Sequence, residues 1–132
     1  MSIRDELEAL NTLWLEAFSR GDVEACADLW TENGAIYSPY GPPAIGREAI
    51  KQAHHDWLNS GETNKKTEIL EAGGDGNTAY LVASYSGDYP TADGGYETES
   101  GKVVNVCTRQ PDGRWRFHIG SLNSDQPPLA GG

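Results

Sequence analysis

The chain has 132 residues and a mass of 14.3 kDa, the size of one domain built on one core. A fold of this size buries roughly two thirds of the surface its unfolded chain exposes, so it stands without a disulfide or metal staple. Ten Lys and Arg against 20 Asp and Glu leave a net charge of -10, a field that repels phosphate backbones and argues against nucleic acid as a partner.

The N-terminus reads Met-Ser-Ile-Arg-Asp-Glu-Leu, charged and without an apolar h-region. No apolar run reaches the length of a membrane span, so a cytoplasmic protein without membrane partners is expected. Ile3, Leu7, Leu10, Trp14, Ala17 and Phe18 form one apolar stripe at helical spacing, with Ser2 and Asp5 as a capping box and Gly21 as the stop. Asp22 can cap a second, shorter helix that faces Val23, Cys26, Leu29 and Trp30 one way before Thr31-Glu32-Asn33-Gly34 breaks it. Residues 35–38 read as a short strand, and Pro39-Tyr40-Gly41-Pro42-Pro43 as a stiff loop. A third helix starts near Gly46-Arg47-Glu48, carries Ile50, Ala53, His54, Trp57 and Leu58 on one face, and ends near Gly61. From there the period changes to two, which predicts strands over 63–72, 78–87, 96–109 and 114–123. The tail, residues 126–132, has little to pack and is expected to fray. Helices first and strands afterwards indicate an α+β fold, a bent antiparallel sheet covered by helices with room for a pocket between them.

The last hairpin permits a register calculation. A two- or four-residue turn around Pro111-Asp112 sets Asn105 opposite His118, Cys107 opposite Arg116 and Val106 opposite Phe117; a three-residue turn shifts every pair by one. One face of the ribbon then carries Val104, Val106, Thr108, Trp115, Phe117 and Ile119, and the other Val103, Asn105, Cys107, Arg116, His118, Gly120 and Leu122. On pattern alone the apolar face turns toward the helices and leaves His118 and Asn105 in water.

Three histidines are the candidate acids and bases, since imidazole titrates near neutral pH. His118 beside the Asn105 amide suits proton transfer next to a polarised carbonyl, and His54 is a second candidate unless it is a core-edge residue bonded to backbone. His55 points away from the apolar face. Four Trp and six Tyr against two Phe favour rings with a polar handle, which suit a pocket for a flat, mostly apolar ligand with a few oxygens. Cys26 and Cys107 form no C-x-x-C pair and read as small buried thiols. There is no phosphate-binding loop, nucleophile elbow or metal-ligand spacing, so hydride transfer, phosphoryl transfer and metal hydrolysis are not expected, and any catalysis is expected to need no cofactor.

The order of Gly21-Asp22, Leu29-Trp30, residues 37–43, Ile45-Gly46-Arg47-Glu48-Ala49-Ile50, Thr78-Ala79-Tyr80, Gly101-Lys102, residues 109–115 and Asn123-Ser124-Asp125 resembles the nuclear transport factor 2-like superfamily. Ketosteroid isomerases and SnoaL-like polyketide cyclases belong to it, and the later segments are similar to a largely uncharacterised bacterial branch. The resemblance spans residues 3 to 125 and implies a single domain over 1–125 shaped as a cone: three helices over a strongly bent sheet, a pocket inside, and a homodimer through the outer sheet face. It also implies that Asn105, His118, Gly120 and Leu122 face the pocket, with Trp14, Phe18, Trp30, Tyr37, Ser38, Tyr40, Trp57 and Tyr80 as further wall residues. Ketosteroid isomerase uses an Asp base and an oxyanion hole of a Tyr and a protonated Asp. The matching positions here are Ser38, Trp14 and Asn105, so steroid isomerisation by that mechanism is not expected.

Two functions follow as expectations. One is a cofactor-free isomerase or cyclase acting on an apolar cyclic or polyketide-like substrate, with His118, Asn105 and His54 as catalytic groups. The other is a non-catalytic dimer that binds a small apolar molecule or serves in assembly, because all three isomerase positions are replaced.

Overall fold

The computed structural model describes residues 2–126. Three helices, α1 (Ile3–Ser19), α2 (Val23–Asp28) and α3 (Arg47–Asn59), cover one face of a six-stranded sheet. The strands are β1 (Trp30–Ser38), β2 (Gly41–Ile45), β3 (Thr63–Asp75), β4 (Thr78–Pro90), β5 (Tyr96–Arg109) and β6 (Trp115–Ser124), in the order β2-β1-β6-β5-β4-β3. Among the described residues only the β1–β6 pair is parallel. This is the cone-shaped α+β arrangement that the resemblance implies. The predicted tail lies outside the described residues, except Gln126, which is exposed. Among the described residues no helix is long and apolar enough to cross a membrane.

Local chemistry sets the helix ends. Ser2 and Asp5 cap α1 reciprocally, and the Asp22 carboxylate caps α2 by accepting from Ala25 N at 3.0 Å. Leu7 and Leu10 from α1 and Ile50 from α3 meet Ile69, Leu81, Ala83, Cys107, Trp115 and Phe117 on the concave face of the sheet. Ala17, Phe18 and Cys26 form a smaller cluster between α1 and α2.

The second helix stops earlier than its apolar spacing suggests. Leu29 is its C-cap, and the Leu29 carbonyl accepts from Phe117 N at 2.9 Å, so Trp30 enters the sheet opposite Phe117. The predicted proline loop contains a strand, β2, whose two prolines are accommodated because β2 is an edge.

The β5–β6 register differs from the two-residue-turn expectation in two places. The loop is three residues, Pro111-Asp112-Gly113, closed by Gln110 N donating to Arg114 O at 2.8 Å, with Gly113 at φ 86 supplying the left-handed position. A bulge then adds one more residue, because Cys107 pairs with Phe117 while Val106 pairs with Ile119, leaving His118 between them. Asn105 therefore faces Gly120, not His118. The inner face of β6 carries Trp115, Phe117, Gly120 and Leu122, while Arg116 and His118 are on the outer side.

Candidate functional site

Between the helices and the concave face lies a cavity of about 260 Å³. Trp14 from α1 and His54 and Trp57 from α3 form its helical wall; Trp30, Ile36, Ala83, Val103, Asn105, Phe117 and Leu122 line the sheet side. At its inner end lies Asn105, 7% exposed, whose Oδ1 has no hydrogen-bond partner among the described residues; of the other polar lining groups, Asn11 donates to Thr67 Oγ1 at 2.9 Å. Gly120 makes room for that amide: a Cβ there would sit 2.8 Å from both Asn105 Oδ1 and Trp30 Cη2.

His54 lies on the cavity wall but has no open nitrogen. Its Nδ1 lies 2.7 Å from the Ile50 carbonyl, an acceptor only, so Nδ1 carries the hydrogen. Its Nε2 accepts from Trp14 Nε1 at 3.0 Å. The ring is fully buried and packs against Trp57 at a centroid distance of 4.8 Å. Burial, aided by the nearby Lys65 charge and opposed by the Ile50 bond, pushes its pKa down to about 4. A neutral imidazole with both nitrogens engaged positions Trp14, which stacks on Phe18 at 5.0 Å; it transfers no proton in this arrangement.

His118 is not in the cavity. The three-residue turn places it on the outer side, where Nδ1 lies 2.7 Å from Thr31 Oγ1 in a separate open cleft with Arg47, Thr108, Gln110 and Arg116. The expected His118/Asn105 pair is thus absent: the two side chains lie on opposite faces of the sheet. Tyr37 and Tyr80 are also exposed away from the cavity, and Tyr80 donates to Glu71 Oε2 at 2.7 Å. Ser38 accepts from Tyr40 N at 2.9 Å in the turn before β2 and does not line the cavity. Trp14, Trp30, Tyr40, Trp57 and Leu122 do line it, Phe18 backs Trp14, and Gly120 lies under Asn105.

The rim carries groups that sequence reasoning missed. Glu62 and Lys65 form an ion pair at 3.3 Å with side chains only 2% and 14% exposed. The Lys65 ammonium lies 4.8 Å from the Tyr85 ring centroid and 5.7 Å from that of Phe18. Tyr85 O–H donates to the Asn123 carbonyl at 3.1 Å, so Tyr40 O–H donates to Tyr85 at 2.8 Å. Glu99 and Tyr89 complete the rim. Burial first, and then the neighbouring carboxylates Glu99 and Glu62, push the Tyr40 and Tyr89 phenols well above their ordinary range. One signal was present for Glu99: it shares alternation with Gly101, Val103 and Asn105. Lys65 likewise alternates with Thr67 and Ile69.

The same fold occurs in solved proteins of low sequence identity. A ketosteroid isomerase-like protein from Erwinia carotovora atroseptica is 19% identical, with a TM-score of 0.83 over 93% of this chain and 96% of that one. A protein from Catenulispora acidiphila, solved in complex with S-DNPA, is 22% identical with a TM-score of 0.75 over 93% of each chain. An uncharacterised protein with a cystatin-like fold from Caulobacter vibrioides is 23% identical, with a TM-score of 0.76 over 97% of this chain and 93% of that one. Comparison with curated proteins finds no match. The model of the SnoaL-like domain family matches residues 12–118, and the chain belongs to that family, within the nuclear transport factor 2-like superfamily.

Proposed function

We propose that this chain holds a flat, mostly apolar cyclic molecule, of polyketide-like type, in the cavity and performs cofactor-free acid/base chemistry on it. The observation that carries the reading is an aromatic cavity enclosing an unpartnered amide oxygen, Asn105 Oδ1, with a carboxylate and an ammonium, Glu62 and Lys65, at its rim. Leaving a buried acceptor unpaired costs about 1–3 kcal/mol, which a ligand donor at the inner end recovers. The acid/base groups are Glu62 and Lys65, because His54 is fully engaged and His118 lies outside. The complex with S-DNPA in a structural neighbour supports a ligand-holding cone in this fold.

The test pairs binding with turnover. Quenching of tryptophan emission by cyclic aromatic ligands, followed by mass spectrometry of each bound compound after incubation, is expected to reveal conversion that Glu62→Gln abolishes while binding persists. Absence of quenching by every such ligand refutes the pocket reading. Binding without conversion favours the second reading, a non-catalytic carrier, which the full engagement of His54 supports.

We further propose that the outer sheet face meets a second copy of the chain. Tyr80, Val106 and Ile119 lie in register across β4, β5 and β6, beside Val82 and the exposed Val104. Light scattering giving a monomer mass refutes this; Val104→Lys is expected to dissociate the dimer.

A further inference from the structure

The rim pair has unspent bonding capacity of both kinds. Glu62 Oε2 takes Lys65, but Glu62 Oε1 is enclosed and accepts nothing among the described residues. An ammonium carries three donors, and Lys65 shows one side-chain acceptor, Glu62. Tyr40 and Tyr85 do not absorb the surplus, since Tyr40 donates to Tyr85 and Tyr85 to the Asn123 carbonyl; Tyr89 interacts with the Glu62 carboxylate, which still leaves Oε1 without a partner among the described residues. The pair is seated by the fold, since a Cβ at Gly87 would lie 2.7 Å from the Glu62 carboxyl carbon, inside contact distance. A ligand carbonyl satisfies only Lys65, and an ammonium only Glu62. A hydroxyl is the smallest group that donates to one and accepts from the other.

Resting on the cavity reading above, we infer that this rim recognises a ligand hydroxyl: Glu62 accepts its hydrogen, Lys65 donates to its oxygen, and the aromatic walls hold the ring that bears it. The ligand class is hydroxylated aromatic ring systems, selected over ethers and hydrocarbons of the same shape.

Titration of the purified protein with β-naphthol, its methyl ether and naphthalene tests this directly. A charge-assisted hydrogen bond predicts that β-naphthol binds about 10-fold or more tighter than the ether. Glu62→Gln is expected to cut that preference to about threefold or less, since a neutral acceptor is roughly half as strong, with ether affinity unchanged. Equal affinity for all three probes overturns this assignment alone; no binding of any probe overturns it together with the cavity reading. A preference that survives Glu62→Gln and disappears in Asn105→Leu places the hydroxyl at the inner end and also overturns it. If melting curves show that Glu62→Gln does not fold, the crystal structure of the wild type with β-naphthol decides: the naphthol oxygen between Glu62 and Lys65 supports the assignment, and any other position overturns it.

Discussion

Acid should destabilise this protein in good part through His54. Its folded-state pKa is about 4 against 6.5 for a free imidazole. As pH falls below 6.5 the unfolded chain binds the proton first, so the stability His54 contributes is whole above that value and is lost progressively toward pH 4. The gap corresponds to about 3 kcal/mol in full, most of it lost by pH 4.5, a large share of a typical domain's stability. The structural reason is first the ring's complete burial, which penalises the charged form; in addition Nε2 accepts from Trp14, so a protonated ring would set two donors against each other. His54→Gln keeps one donor and one acceptor and cannot titrate. Urea unfolding of both proteins between pH 7 and 4.5 is the assay. Glu24, Asp88 and Asp93, whose pKa values are lowered by hydrogen bonds, also lose stability in acid, but they are common to both proteins and cancel in the difference. Equal losses in wild type and His54→Gln would refute the tautomer and the burial argument together.

Gly120→Ala pushes a methyl against Asn105 Oδ1 and Trp30, and should cost about 1–3 kcal/mol in urea unfolding while weakening any ligand of the inner end. Trp14→Phe removes the hydrogen bond to His54 and should cost about 1 kcal/mol, with the imidazole midpoint, followed by NMR, rising from about 4 toward 6.5. His118→Ala loses the Thr31 contact, also about 1 kcal/mol, yet β-naphthol affinity should stay unchanged because the two sites lie on opposite faces of the sheet. Burial pushes the Cys26 and Cys107 thiols up to about 12, so dithionitrobenzoate at pH 8 should label neither in the native protein and both in urea.

Most of the fold was legible because its signals are local. The apolar stripes of α1 and α3, the Ser2 and Asp22 caps and the period-two strands each arise from a few neighbouring residues. The misplaced elements depend on distant partners. Trp30 continues the stripe of α2 but pairs with Phe117, some 87 positions away, and β2 exists because β1 offers it an edge. Neither fact can be read from the residues nearby.

The site was harder to read, for a reason that the terminal ribbon makes concrete. Period-two alternation transmits register only while no residue is inserted, and here two insertions occur, one in the three-residue turn and one at His118. Together they return Gly120 and Leu122 to the face of Asn105, as expected, while Arg116 and His118, which lie before the second insertion, go to the opposite face. Residue type was the other misleading guide. Imidazole is the natural suspect at neutral pH, but what a side chain can do depends on which of its lone pairs and hydrogens the fold leaves open. His54 has none open, and His118 has turned its Nδ1 to Thr31 outside the cone. Glu62 keeps one oxygen without a partner among the described residues, beside the Lys65 ammonium at 3.3 Å, and it is this open acceptor, not an imidazole, on which the proposed reading rests.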